Sequence, residues 1–195
     1  MNPSASPLAA QPAPPLASEP PPSLLRMAVG GQDLAVAIDD VREILEVGRL
    51  TALPRTPDFV RGVMNLRGAV VPVIDLAARV GQPAITIGRR SCVVVVKAEP
   101  SAAAVDSAGV SDEADDVAIS EGSALVVGLL VDAVFEVFDA PASGIEPVPP
   151  LGTCVAPVFL RGMTRHRGEV IGVLALDRVL AQQALSALIA QHLPH

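Results

Sequence analysis

The 195-residue chain has no Trp, no Tyr and only four Phe. That removes the stacking platforms on which single-stranded nucleic acid is held, and it leaves any core to Val, Leu, Ile and Ala in a chain that is 50% hydrophobic. Cysteine is scarce too. Cys92 and Cys154 lie in apolar stretches with no histidine beside them, which excludes a disulfide framework or a Cys/His metal site and makes both read as buried free thiols of a reducing compartment. A basic surface is also missing. Formal net charge is −7, and seven of the 21 acids fall between residues 99 and 121, where there is no Lys or Arg. The rest of the chain balances 14 acids against 14 bases, so no polyanion-binding face is offered and the acidity belongs to one segment.

Long hydrophobic runs are absent as well. The longest apolar stretch, residues 124–131, stops at Asp132, far short of a bilayer span. No Lys or Arg precedes Arg26 and no apolar leader is present, so no signal peptide is expected. The reading is a cytoplasmic protein without direct membrane insertion. Catalytic signatures are missing in the same way: there is no Gly-x-Ser-x-Gly elbow, P-loop, His-Glu-x-x-His or dinucleotide fingerprint. Asp39 and Asp40 read as helix caps before they read as an acid–base pair, and His166 reads as a turn residue. No catalytic residue, metal or cofactor is predicted.

Residues 1–22 hold 8 of the 19 prolines and read as a disordered tail. Strands are expected at residues 24–29 and 34–38, joined as a hairpin through Gly30-Gly-Gln-Asp33. Asp40 with Glu43 has capping-box spacing, which predicts a helical turn at 41–45. Further strands are read at 49–53, at 70–74 with Pro72 marking an edge or bulge, and at 92–97, the last buried on both faces. Residues 57–62 read as a turn. Strands at 124–131, 134–138 and 169–176 follow, and then a C-terminal helix behind Asp177, with Val179, Leu180, Leu185, Leu188, Ile189 and Leu193 mostly on one side. The acidic stretch at about 99–123 reads as a surface insertion.

An internal repeat organises these pieces. Phe59-Val-Arg-Gly-Val-Met-Asn-Leu-Arg-Gly-Ala-Val-Val-Pro-Val-Ile-Asp-Leu76 aligns without gaps with Phe159-Leu-Arg-Gly-Met-Thr-Arg-His-Arg-Gly-Glu-Val-Ile-Gly-Val-Leu-Ala-Leu176, at an offset of 100 residues. Two similar all-β subdomains follow. Each repeated glycine suits a tight corner, and Arg161 and Arg167 read as turn anchors.

The first copy, from Arg61 to Leu76, resembles the signature of the CheW family of chemotaxis coupling proteins. Three other stretches agree in order: Val41-Arg-Glu-Ile44, Val127-Gly-Leu-Leu-Val-Asp-Ala-Val134 and Ile145-Glu-Pro-Val-Pro149. The resemblance implies two intertwined five-stranded SH3-like β-barrels at residues 23–181, with short helices, followed by a C-terminal helix and tail at 182–195. It implies a non-enzymatic adaptor that bridges the cytoplasmic tip of a chemoreceptor to the regulatory domain of a CheA-type histidine kinase. Such an adaptor works at membrane-associated receptor arrays, and a pilus-motility or other chemosensory array is the alternative setting. On family positions tied to partner binding fall Val41, Glu43, Gly62, Asn65, Arg67 and Gly68, with Ile38 and Ile44 lining the same region. Departures are Ala37 within Val36-Ala-Ile38, Ala175 in place of the usual Asp, and Arg165 and His166 in the second copy.

Overall fold

The computed structural model describes residues 21–98, 125–141, 143–149 and 153–180. The proline-rich tail, the acidic insertion and the C-terminal helix beyond Leu180 lie outside them. Ten strands form two five-stranded sheets: β1 (Ser23–Val29), β2 (Gln32–Ala37), β3 (Val41–Glu46), β4 (Val60–Leu66), β5 (Ala69–Asp75), β6 (Cys92–Ala98), β7 (Leu125–Val131), β8 (Ala133–Asp139), β9 (Leu160–His166) and β10 (Glu169–Leu174). Two single-turn helices follow the repeats, α1 (Leu76–Arg79) and α2 (Leu176–Val179).

The first sheet runs β3-β6-β7-β5-β4 and the second β8-β1-β2-β10-β9. The chain therefore starts the second sheet, builds all of the first, and returns to finish the second. Each sheet curls until its outer strands meet. The segment after β3 pairs with β4 through Thr51 and Val63, with N–H···O distances of 2.9 and 2.8 Å, and the segment after β8 pairs with β9 through Glu146 and Met163 at 2.7 and 2.8 Å. These closures make the two sheets the expected pair of intertwined barrels.

The N-terminal hairpin joins them. Along β1 and β2, Leu24 and Ala35 pack with Phe138, Ile171 and Val173 inside the second barrel, whereas Leu25, Met27, Val29, Leu34 and Val36 pack into the larger common core, which holds the first barrel's interior together with Leu160 and Leu174 of the second repeat. The period-2 alternation of a strand sends neighbouring side chains to opposite faces, so one hairpin serves two cores. Burial of each large side chain is worth about 2 kcal/mol gross. In β6, Val93 to Val96 are all fully buried, as expected for a strand covered on both faces.

The repeat is visible atom by atom. Hairpins β4–β5 and β9–β10 match, and each return strand adds a short parallel pairing, β5 with β7 and β10 with β2. Asp75 N–H donates to Phe59 O at 2.7 Å and Ala175 N–H to Phe159 O at 2.9 Å. Arg79 crosses between the copies. Its guanidinium lies 5.1 Å from the Phe59 ring and 4.9 Å from the Phe159 ring, and its Nε donates to Val179 O at the end of α2. A cation there meets the negative end of the turn's carbonyls.

Several expectations fail. Residues 41–45 are strand β3, and the helical turn lies before it, a 3₁₀ turn at Ile38–Asp40 with no side-chain cap. The Asp40 and Glu43 spacing imitates a capping box, but pairing with β6 overrides it. Residues 49–53 contribute one bridge rather than a strand, and residues 60–62, read as turn, open β4. Only Gly30 and Gly31 form the first hairpin loop, because Gln32 and Asp33 already belong to β2. Helix α2 is capped by Ala175, with Asp177 in its first turn. Cys154 is exposed and Cys92 only half-buried. His166 ends β9 instead of sitting on the turn.

Candidate functional site

The motif residues gather where the first barrel closes. Strand β3 is an outer strand, so its residues alternate between barrel and solvent: Val41, Glu43 and Leu45 are half-buried, while Arg42, Ile44 and Glu46 are exposed. Facing it across the seam is the β4–β5 hairpin. Its two-residue loop, Arg67-Gly68, has positive φ at both positions, 53° and 92°, as a tight twisted hairpin requires. Asn65 Oδ1 accepts the Gly68 N–H at 2.9 Å and holds the loop shut. Arg67 Nη2 then donates to Glu43 Oε2 at 3.0 Å across the seam.

Gly62 has a different task. A Cβ there would come within 2.2 Å of Thr51 O, and its φ is +130°, so only glycine lets the β3 extension pair with β4. Ile44 is 43% and Val70 46% exposed. Beside Val70 an open cavity of about 380 Å3 is lined by Gly48, Arg49, Thr51, Val63, Met64 and Asn65. Glu43, Gly62, Asn65, Arg67 and Gly68 thus share one construction, the barrel seam, with Ile44 exposed on its outer strand. Ile38 and Val41 serve otherwise, as half-buried side chains packed on the common core. Val70 and the cavity were not foreseen; an exposed β-branched residue directly after a hairpin glycine is the signal that could have found them.

The second barrel repeats the seam. Arg167 and Gly168 have φ of 51° and 87°, and Arg167 Nη2 lies 3.2 Å from Glu136 Oε2 on β8. Arg167 therefore reaches across the seam rather than anchoring its own turn. Arg26 and His166 also face Glu136, at 3.7 and 3.3 Å, and the His166 ring packs on Phe138 with centroids 4.3 Å apart. Phe135 and Val137 on β8 and Val170 on β10 are exposed. Asp132, in the Val-Asp motif, serves the fold: its Oδ2 accepts the Gly30 N–H at 2.7 Å and locks the first hairpin loop.

Among titrating groups, burial and neighbouring Asp39 push the Asp40 carboxyl above its ordinary value, with Arg161 opposing. Burial raises the Cys92 thiol, against a hydrogen bond with the Val134 backbone. Among the described residues no group of three or more His, Cys, Asp or Glu is placed to hold a metal, and no helix is long and apolar enough to cross a membrane. The two barrel seams are alike in construction, each pinned by a Glu–Arg pair.

Known proteins are similar to this chain in sequence and fold. The family model described as the CheW-like domain matches residues 23–184. The chemotaxis protein CheW of Rhizobium meliloti is 32% identical over 164 residues, covering 84% of this chain and 90% of that protein. Protein FrzA of Myxococcus xanthus is 32% identical over 154 residues, covering 78% and 81% respectively. A crystal structure of the scaffolding protein TtCheW from Thermoanaerobacter tengcongensis superposes with a TM-score of 0.65 at 25% identity, covering 86% of this chain and 93% of that one. With the repeat, both closed barrels and the ordered motifs of the first seam all matched over most of the chain, the protein belongs to the family of CheW-like domains.

Proposed function

We propose that the protein is a non-catalytic adaptor of chemotaxis signalling that couples the cytoplasmic tip of a chemoreceptor to the regulatory domain of a CheA-type histidine kinase at receptor arrays. The observation that carries the site is the Glu43–Arg67 pair. It ties the outer strand of the first barrel to the hairpin loop at 3.0 Å, and the two strands it joins carry the half-exposed Ile44 and Val70. A docking surface gains affinity from a few apolar anchors in a desolvated centre, with charged groups setting register at the rim. The open cavity beside Val70 takes, in this reading, one such anchor from the partner. In this reading the edges of the first barrel meet the kinase domain, and the groove near Arg67 receives the receptor hairpin.

The test is recovery of receptor and kinase domain on immobilised protein carrying Arg67→Asn or Glu43→Gln. Asparagine tolerates the left-handed backbone at position 67, so the loop survives while the guanidinium goes. At least one partner is expected to bind about tenfold more weakly; unchanged recovery of both overturns the site. Reconstituted kinase activity under receptor control then separates a coupler from a passive scaffold.

A further inference from the structure

The internal repeat supplies a template for one cavity. In the first copy Arg61 is half-buried and the chain itself answers its charge: Nη1 lies 3.8 Å from the buried Asp75 carboxylate, Nη2 donates to Ile85 O at 3.0 Å, and the Ile85 side chain packs on the core. In the second copy the counterparts of Arg61 and Asp75 are Arg161 and Ala175. Both line an open cavity of about 480 Å3. Among the described residues Arg161 makes no hydrogen bond and no ion pair. It is exposed, and its charge acts through space on Asp40, where it opposes the upward push of burial and of Asp39.

The rest of the wall restricts what can enter. Leu160, Val173 and Leu174 give it an apolar side. Lys97 and Arg178 add to Arg161, and Asp40 and Asp177 oppose them, so three bases stand against two acids, a formal charge of +1. A multiply charged anion such as phosphate would meet two carboxylates in a confined space. A purely apolar ligand would cover the guanidinium without pairing it. A singly charged carboxylate on a short branched aliphatic body answers both parts of the wall, as Asp75 and Ile85 together do in the first copy. The cavity volume also suits a small molecule, for which sites of about 300–1,000 Å3 are usual.

We propose that the cavity at Ala175 is a binding site for a small aliphatic monocarboxylate, its carboxylate paired with Arg161 and its branched body seated on Leu160, Val173 and Leu174. Lys97 comes from β6 of the first sheet and Val173 from β10 of the second, so the occupant stands between the two sheets.

Methyl NMR spectra of the full chain, titrated with sodium 4-methylpentanoate, test this. Saturable shifts are expected at Ala175, Leu160, Val173 and Leu174, with a Kd of about 1 mM for so small a ligand. The neutral 4-methylpentanamide should bind about tenfold more weakly or worse. Arg161→Gln should weaken the acid by about tenfold or more and leave the amide unaffected. Ala175→Asp restores the first copy's carboxylate beside the arginine and should exclude the acid as well; Arg161→Gln, at an exposed position, decides the case whether or not the fold tolerates that aspartate. No saturable shift at these methyls, equal affinity for acid and amide, or undiminished binding of the acid by Arg161→Gln overturns the proposal.

Discussion

Arg79 shows how one side chain can carry the relation between two repeats. It stacks on a phenylalanine from each copy and donates to the carbonyls that end α2. Arg79→Ala should cost about 2 kcal/mol or more, from two cation–π contacts and two charge-assisted hydrogen bonds, read as a lower urea midpoint with unchanged slope. Lysine should recover only part, since it lacks the planar fork. Asp40 makes an opposite prediction. Its carboxyl is raised in the folded state, chiefly by burial and then by Asp39, so ionisation favours unfolding. The penalty is present above the folded-state value and fades as pH falls toward the ordinary carboxylate range. Asp40→Asn should therefore raise Tm at pH 7, and the gain should vanish near pH 4. The two thiols also separate at this scale. Cys154 is exposed and Cys92 is half-buried with a raised thiol, so a maleimide should label Cys154 first and Cys92 slowly. The apolar sequence around Cys154 did not disclose that exposure, because local hydrophobicity does not say which loops another element covers.

At the level of the element, the hairpin loop and the seam behind it divide cleanly into shape and chemistry. Gly62→Ala should cost roughly 3 kcal/mol or more, since the added methyl meets Thr51 O and the backbone sits in a region that L residues avoid. Gly68→Ala, with open space around it, should cost only about 1 kcal/mol for its positive φ. Thermal midpoints of the pair would rank the two glycines, and a reversal would mean that the seam tolerates opening. Much of this level could be read beforehand: β1, β2, β6, β7, β8 and β10 follow from aliphatic runs bounded by Gly, Asp or a charged break. Strand β4 could not. Its Arg61-Gly-Val-Met-Asn sequence has no clean alternation, and what makes it a strand is antiparallel pairing with β5, to which Thr51 adds one bridge from across the barrel. Strand β3 was hidden by the capping-box spacing of Asp40 and Glu43, a local preference that pairing with β6 outweighs. The Glu43–Arg67 contact was reachable only through the family motif, because the partners stand 24 residues apart and meet through closure of the sheet.

For the whole molecule, two facts set the limits of what can be removed. Ala98 pairs directly with Leu125, so the strands on either side of the acidic insertion already stand at hairpin distance. Deleting residues 100–122 leaves a three-residue loop and should move Tm by no more than a few degrees, since loop-closure cost changes by about 0.6 kcal/mol per doubling of length. A large fall in calorimetric Tm would show that the insertion packs. The N-terminal hairpin is the reverse case. Its side chains enter both cores, so truncation before Ile38 should unfold the first barrel along with the second, although the five strands of the first barrel are contiguous in the chain.

The return path of the chain also has a consequence during synthesis. Strand β2 ends at Ala37, and its neighbour β10 begins at Glu169, so on a ribosome adding about 5–20 residues per second the hairpin waits on the order of ten seconds for its sheet. During that wait its outer edges are unpaired and its apolar faces wet, until the first barrel emerges and takes one face as its own wall. The nascent hairpin is sheltered by the younger barrel before it can shelter the last strands, which makes the order of emergence, N-terminal half before C-terminal, part of how this adaptor reaches its fold.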